Sequence, residues 1–127
     1  MVDMKIFRKG IASEYETCYA KGRQPEDIYM DLFDGAWPAR VRLSDTLYLL
    51  CDEEGSLKHL PVNFMLKGGD LPLQPIVGEV IMVHMDVSKK NPNELVMADV
   101  TKEDRETLDK LLDEEQQRDW LISYFFN

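Results

Sequence analysis

The sequence predicts an α+β fold in a single domain, with a mostly antiparallel sheet of four to six strands and helices before and after it. Three observations predict this fold. Apolar and polar residues alternate between about residues 40 and 100, as in half-buried strands, and helical spacing prevails on both sides. The 127 residues match one domain in size. We expect a helical N-terminal part over 1–36, the sheet over 37–100, and a C-terminal helix and aromatic tail over 101–127.

The N-terminal part is predicted to hold one short strand, over 4–8, and two helices. In SEYE, which begins at residue 13, the serine and the second glutamate have the spacing of a helix capping box. A first helix is therefore expected over 13–20, and it should end at Gly22. A second helix should begin at Pro25, since proline is favoured in the first helical turn, and should end at Gly35.

Five segments of the middle region are predicted to be strands. They cover residues 40–43, 46–51, 56–60, 76–87 and 94–100. The second is densely apolar, which indicates a central strand, and the fourth is the most strand-like stretch of the chain. The fifth follows a turn at 90–93 and should return as the hairpin partner of the fourth.

The C-terminal part is predicted to begin with a capped helix. Thr101 is a suitable N-cap residue, with Asp104 three positions later, and the helix should run to about Gln117. Its core-facing residues would be Leu108, Leu111 and Leu112. The tail over 120–126, WLISYFF, is too apolar for a loose end. It should either dock on the core, which we favour, or form a subunit interface in a homo-oligomer.

The net charge of −9 is the strongest compositional feature. Binding to DNA, RNA or an anionic membrane requires a basic patch, so we expect none of these as a direct partner. The charge would favour a protein partner with a basic surface, although solubility alone also accounts for it. Nine acids and four bases fall in 99–127, so more than half of the excess negative charge lies there.

The compartment predicted from the sequence is the cytoplasm. No apolar run is long enough for a transmembrane helix, and the first residues lack the apolar region of a signal peptide. Cys18 and Cys51 do not indicate a disulfide framework, and a reducing compartment would keep both as thiols.

Three consecutive carboxylates in CDEEG, residues 51–55, raise the question of an acidic active site or a metal site. Strand-like residues lie on both sides, so we interpret the segment as a hairpin tip. Asp52 would bond the backbone two residues later, and Gly55 would supply a positive φ. Glu53 and Glu54 would then be solvated, because a metal site needs further ligands that converge on the loop.

The same region carries a family resemblance. LYLLCDEEGSLKHLPVNFML, followed by PIVGEVIMV, is similar to the bacterial family catalogued as domain of unknown function 3846. The matching pieces are the C-[DN]-E-E-G motif at 51–55, L-P-x-N at 60–63 and I-x-G at 76–78, and the resemblance spans about 25–115. Phe64 departs from the arginine frequent in members, and the first 24 residues and the aromatic tail look like additions.

This resemblance implies a biological setting for the protein but no particular reaction. The family is common in phages, prophages and conjugative elements, and it has no established catalytic residues to carry over. Small acidic accessory proteins of such elements often counter host defences such as CRISPR nucleases and restriction enzymes. The resemblance therefore implies an accessory protein of a phage or mobile element.

Residues capable of metal or nucleophilic chemistry are few. Cys18, Cys51, His59 and His84 lack the closely spaced ligand pairs of structural zinc sites, so we expect no metal and no cofactor. Cys51 and His59 would share a face at diagonal distance if 53–55 formed a hairpin loop, which leaves a cysteine enzyme as a weak alternative.

A small ligand is a second possibility. Asn63, together with His59, could bind one at the loops over 60–70, although an amide that satisfies loop backbone is the more common role. Lys67-Gly68-Gly69-Asp70 lacks the spacing of a phosphate-binding loop and is interpreted as a turn.

The predicted C-terminal helix carries a row of acids opposite its leucines. The candidate partner-binding residues are Glu103, Glu106, Asp109, Asp113 and Glu114. Helical rise spaces the central three over about 10 Å, or roughly one carboxylate per 5 Å. DNA carries one phosphate per ~3.4 Å of each strand, so the row is a sparse imitation of it. The alternative is a solvated face with pairing such as Glu106 with Lys110.

These observations lead to one principal functional hypothesis and two rivals. We expect a non-enzymatic acidic accessory protein that binds a protein partner, for instance a nucleic-acid-handling defence enzyme, through its acidic surface. The rivals are a small ligand-binding or regulatory module that uses Asn63 and His59, and a metal-dependent or cysteine enzyme.

Overall fold

The computed structural model describes residues 3–68 and 72–126 and confirms the α+β fold. In that part of the chain, a six-stranded antiparallel sheet, a two-stranded sheet and three helices are present. The strands are β1 Asp3–Lys9, β2 Tyr15–Lys21, β3 Pro38–Arg42, β4 Leu47–Asp52, β5 Val62–Leu66, β6 Gln74–Val77, β7 Val80–Val87 and β8 Leu95–Ala98. The helices are α1 Pro25–Leu32, α2 Lys102–Leu111 and α3 Glu114–Phe126.

Strand β7 is the centre of the larger sheet, whose order is β2-β1-β7-β4-β3. It pairs with β4 on one side; on the other it pairs first with β1 and then, over 84–87, with β8. The first six residues of β7 are all buried, because helices cover both faces of the sheet. The predicted hairpin between 76–87 and 94–100 is confirmed as the β7–β8 pair.

Two apolar clusters pack on opposite faces of this sheet. Consecutive strand residues point to opposite faces, so Leu49 joins one cluster and Leu50 the other. The first cluster lies under Leu108 of α2 and includes the small β5–β6 sheet. The second lies under Ile28 and Tyr29 of α1. The predicted helix from Pro25 to Gly35 is thus confirmed in place, with a positive φ of 78° at Gly35.

The helix predicted over 13–20 is wrong, because this segment is strand β2. All seven of its residues pair with β1, in a register that sets Ile6 opposite Cys18. The edge of β1 gains a full ladder of hydrogen bonds from this pairing, which outweighs a capping-box spacing of about 1 kcal/mol. The N-terminal part is therefore two strands and one helix. Gly22 does not end a helix; a Cβ there would lie 2.6 Å from Ile28 Cγ1.

Two of the strand predictions also need correction. Residues 56–60 form no strand, because 53–59 are a compact turn in which His59 adopts a positive φ of 56°. The segment 76–87 is two strands rather than one. It divides at Gly78, whose φ of 77° turns the chain from the small sheet into the large one. The turn predicted at 67–70 falls partly outside the described residues.

The C-terminal helix begins as predicted and ends early. Thr101 caps α2 in a capping box: its Oγ1 accepts from Asp104 N at 3.2 Å, and its own N donates to Asp104 Oδ2 at 2.9 Å. The single helix to Gln117 is wrong, since α2 ends at Leu111 and α3 begins at Glu114. Asp113 stabilises the break, because its Oδ1 accepts from Gln116 N at 3.0 Å.

The aromatic tail is helical and is not docked on the core, so the favoured prediction is wrong. It forms the second half of α3, a helix with no buried residue. Exposure rises toward its end, from 38% at Leu121 to 55% at Phe125 and 81% at Phe126. The remaining prediction for this segment, a subunit interface, is taken up below.

Candidate functional site

The five predicted acids do not form one continuous row. Glu103, Glu106 and Asp109 lie on α2, whereas Asp113 lies in the link between the helices and Glu114 begins α3. All five are exposed. The row was predicted on a single helix, and the break after Leu111 removes the even spacing that resembled a phosphate backbone.

Three of these acids have free carboxylates. Within residues 3–68 and 72–126, Glu103, Glu106 and Glu114 make no ion pair and no side-chain hydrogen bond, and the predicted pair of Glu106 with Lys110 is not formed. Their charge is not neutralised by the chain itself. It is available to a partner on the outer side of α2 and at the start of α3.

Asp109 has a different role, because it joins α2 to β2. Tyr15 Oη donates to Asp109 Oδ1 at 2.5 Å. Burial, and then the bond to Asp109, raise the pKa of Tyr15 to about 12. Beside it, the Arg105 guanidinium lies 5.5 Å from the Phe7 ring centroid and donates to Thr17 Oγ1 at 2.8 Å. Asp109 is therefore part of a tertiary contact.

This contact borders a groove of about 620 Å³. The groove lies between the β1–β2 turn, α2 and the start of α3. It is lined by Lys9, Ala12, Ser13, Glu14, Tyr15, Arg105, Asp109, Leu112 and Glu114. No sequence pattern indicated it, because its walls come from segments about 90 residues apart that only the sheet and its covering helix bring together.

Lys9 is the unusual side chain of the groove. It is 8% exposed, and its Nζ donates to Asn63 Oδ1 at 2.5 Å and to Gly10 O at 3.3 Å. In the described ranges, 3–68 and 72–126, no carboxylate lies within ion-pair distance of this ammonium group. Burial lowers its pKa. A buried cation held only by neutral acceptors is suited to an anionic group.

Asn63, the predicted ligand-binding residue, uses its side-chain amide for hydrogen bonds within the fold. Its amide nitrogen donates to Lys9 O at 3.1 Å and to Gly78 O at 2.9 Å, while its oxygen accepts from Lys9 Nζ. The amide thus satisfies the backbone between β1 and β6, which was the more common role weighed for it. His59, its predicted companion, is exposed in the 53–59 turn. A ligand site built on these two residues is not formed.

The prediction of a hairpin tip at 51–55 is wrong, because Asp52 ends β4 and the 53–59 turn leads to β5, which pairs with β6 rather than with β4. Asp52 Oδ1 accepts from Glu54 N at 2.8 Å, which confirms Asp52 as the turn former. Burial opposes ionisation of Asp52, but the Lys58 ammonium at 2.7 Å and this backbone bond hold its pKa below the usual value. Glu53 and Glu54 are exposed.

Gly55 does not supply a positive φ in this turn; His59 does so instead. Gly55 is buried, and a Cβ there would lie 2.6 Å from Val77 Cγ2. The glycine is required because the turn packs closely on β6, a tertiary reason that turn chemistry alone did not indicate.

The cysteine–histidine geometry predicted from a hairpin is also wrong. Cys51 pairs with Ala39 on β3 and packs against the first core cluster. Burial raises the pKa of Cys51 and of Cys18, so neither thiol is activated as a nucleophile. Across residues 3–68 and 72–126, no three His, Cys, Asp or Glu side chains come together as a metal site.

His84 belongs to a buried network that sequence reasoning missed. Its Nδ1 lies 2.6 Å from Asp104 Oδ2, and Thr46 Oγ1 donates to Asp104 Oδ1 at 2.7 Å. The spacing of Thr101 and Asp104 indicated only a helix cap. The network in fact fastens the start of α2 to both β4 and β7.

Comparison with known proteins finds no matching family model, no matching curated protein and no matching solved structure. The resemblance drawn from the CDEEG region stays a prediction. None of the helices in the described ranges is both long and apolar enough to cross a membrane.

Proposed function

We propose that this protein is a non-enzymatic accessory protein of a phage or mobile element. It acts in the cytoplasm of a bacterial host cell and binds a protein with a basic surface. Its binding surface is the outer side of α2 together with the start of α3. The partner class that fits is a nucleic-acid-handling defence enzyme, of the CRISPR or restriction type, because such enzymes carry basic grooves for nucleic acid.

The observation that carries this proposal is the free carboxylate set of Glu103, Glu106 and Glu114. Exposed acids paired within their own chain would gain little from a partner, whereas free ones retain their full charge for it. Complementary charge mainly raises association rates and selects partners, and its effect falls with salt. The break between the helices removes the even spacing of the acids, so binding to such a partner does not require mimicry of a straight nucleic-acid backbone.

A pull-down from the bacterial host tests the proposal directly. The tagged protein should retain a nucleic-acid enzyme at low salt and release it at high salt. A triple variant, Glu103→Lys with Glu106→Lys and Glu114→Lys, should weaken that complex by about tenfold or more. Asp109 and Asp113 are left in place because they bond Tyr15 and Gln116 N.

The matched control reverses three other exposed acids, Asp31, Glu53 and Glu94, to lysine. It changes the net charge by the same amount, so a difference between the two variants reports the position of the charges. Equal affinities for both variants, or a complex insensitive to salt, would refute the acidic surface as the binding site.

A second candidate function rests on the groove at Lys9. The buried ammonium and the nearby Arg105 would bind a small molecule that carries a carboxylate or phosphate group. Titration with inorganic phosphate and with acetate, followed by NMR, should then shift the amides of 9–15 and 105, and Arg105→Gln should abolish the shifts. No shift at millimolar anion would remove this candidate.

A further inference from the structure

The second half of α3 carries a continuous run of exposed apolar side chains. Its most exposed side chains are Leu121, Ile122, Tyr124, Phe125 and Phe126, at 38%, 50%, 45%, 55% and 81%. An aromatic or large aliphatic side chain carries about 150–250 Å² of surface, so together they expose on the order of 500 Å². The largest apolar patch of a monomeric protein is typically about 300–600 Å² and is often functional.

Within 3–68 and 72–126, no element covers this surface, and α3 is held in place at its base. Gln117 Oε1 accepts from Met65 N at 2.7 Å, and its Nε2 donates to Met65 O at 2.9 Å. The same amide nitrogen donates to Leu111 O at 2.7 Å. These bonds hold the first half of the helix against β5, so the second half extends away from the core.

Four of the five exposed residues share one side of the helix, and Tyr124 lies about 60° outside their arc. At 100° per residue, Leu121, Phe125, Ile122 and Phe126 fall within an arc of about 140°. Trp120 lies on the other side and is partly covered by its own chain. This side of the second half of α3 is therefore not covered by any described element of the chain.

We propose that this surface binds a second copy of the chain, in an antiparallel pairing of the two α3 helices. In the register centred between Ser123 and Tyr124, Leu121 faces Phe126 of the second copy and Ile122 faces its Phe125. Each contact then sets an aliphatic side chain against an aromatic ring. The same contacts occur twice, as a two-fold interface requires.

Charge selects this arrangement over a parallel one. The segment 120–126 has no charged residue, whereas α3 begins with Glu114 and Glu115. Parallel helices pack about 8–10 Å apart and would set these acids side by side. In the antiparallel register the two copies of Glu115 are about 25 Å apart along the axis. That is about three times the screening length of about 8 Å, so the repulsion between the two copies of Glu115 is largely screened.

Arg118 adds a complementary contact in the same register. It lies on the apolar side of α3 and has no carboxylate partner among residues 3–68 and 72–126. In the antiparallel pair it sits about one turn beyond the carboxyl end of the other helix. A cation is favoured there by the helix dipole.

The area buried between the two copies predicts how strongly they associate. Two copies can bury at most about 1,000 Å² in total, because Tyr124 lies outside the paired side, so the interface is of the small size that weak complexes have. We therefore expect a reversible dimer with a dissociation constant in the range of about 1–100 μM. This inference does not rest on the proposed function, since the acids reversed in that test lie outside the paired segment.

Sedimentation equilibrium of the full chain tests the pairing. The wild-type protein should shift from monomer to dimer between about 1 and 200 μM. The double variant Ile122→Glu with Phe125→Glu should weaken association at least about tenfold. Leu57→Glu is the matched control, because Leu57 is 81% exposed in the 53–59 turn, and it should behave as wild type.

Spin labels decide the orientation. With Cys18 and Cys51 replaced by alanine, a label at Glu115→Cys should give a pairwise distance of about 25 Å. A distance near 10 Å would show parallel helices and overturn the proposal. A wild-type protein that stays monomeric over the whole range, or a double variant that associates as strongly as wild type, would overturn it as well.

Discussion

At the scale of single residues, Asp104 joins three elements through one carboxylate. It is 1% exposed and accepts hydrogen bonds from Thr46 Oγ1 and Thr101 N, with His84 Nδ1 at 2.6 Å. Burial alone would raise its pKa, but these bonds together hold the pKa below the usual value. The ionised form is thus the one that the fold stabilises.

Asp104→Asn should therefore destabilise the protein by about 2–4 kcal/mol at neutral pH, because the amide cannot accept all of these bonds. Urea unfolding measures the change. Glu103→Gln, on the exposed neighbour, should stay within about 0.5 kcal/mol of wild type. Equal effects of the two substitutions would show that the network contributes nothing.

The hydrogen bonds of Asp104 also predict how the stability of the fold changes at acid pH. The pKa of Asp104 is lower in the folded than in the unfolded chain, so its contribution is fully present above the unfolded pKa. It is lost as the pH falls from about 4 through the folded pKa. Wild-type stability to urea should drop over that window, and Asp104→Asn should show a smaller drop. A variant with the wild-type pH profile would contradict this assignment.

Two glycines have nearly the same backbone angle but differ in how close an added Cβ would lie to its neighbours. Gly35 and Gly78 have φ of 78° and 77°. A Cβ at Gly35 meets nothing within 4 Å, whereas one at Gly78 lies 2.8 Å from Leu60 Cδ1. Gly35→Ala should cost about 1–2 kcal/mol from backbone strain alone. Gly78→Ala should cost more, and thermal unfolding of the pair gives the difference as the cost of the Leu60 contact.

At the scale of elements, the C-terminal region shows how one side chain fixes the direction of a helix. The Gln117 side chain bonds both the backbone N and the backbone O of Met65. A further strand beside β5 would use the same two groups. Gln117→Ala should speed amide hydrogen exchange at Met65 and lower stability by about 1–3 kcal/mol. Gln116→Ala, on the exposed neighbour, is the control. Unchanged exchange at Met65 would show that the helix is held by other contacts.

Strand β2 shows why a local signal failed at this scale. The SEYE segment has a helix-capping spacing, yet its alternating Tyr15, Thr17 and Tyr19 suit a strand equally well. Pairing with all of β1 decided between them, because edge hydrogen bonds are made only when a second strand is present. By contrast, α2 began where predicted, since its cap depends on two residues within one turn.

At the scale of the whole molecule, stability and association are expected to depend on separate residues. Phe126 is 81% exposed and Leu108 is fully buried. Phe126→Ser should leave the free energy of unfolding of the monomer within about 0.5 kcal/mol of wild type, whereas Leu108→Ala should cost about 2–5 kcal/mol. Unfolding in dilute solution measures both. A large loss for Phe126→Ser would place the tail in the core.

The candidate site was only partly predictable. The exposure of Glu103, Glu106 and Glu114 was predicted from their positions opposite the leucines, whereas the absence of a pair between Glu106 and Lys110 was not. The contact of Asp109 with Tyr15 was not, because it joins residues 94 positions apart. The groove at Lys9 was missed for the same reason. A lysine in a strand gives no sign of burial until the elements around it are placed.

Features that depend on local chemistry could be predicted from the sequence. These are the α+β class, the β7–β8 hairpin, the turn at Asp52, the cap of α2 and the acidic character of its outer side. Each rests on periodicity, a capping pair or charge within a few residues. The other features became evident only in the folded chain: β2 as a strand, the burial of Lys9, the Asp104 network and the exposed end of α3. These depend on contacts between distant segments, and such contacts have no signal within any short stretch of sequence.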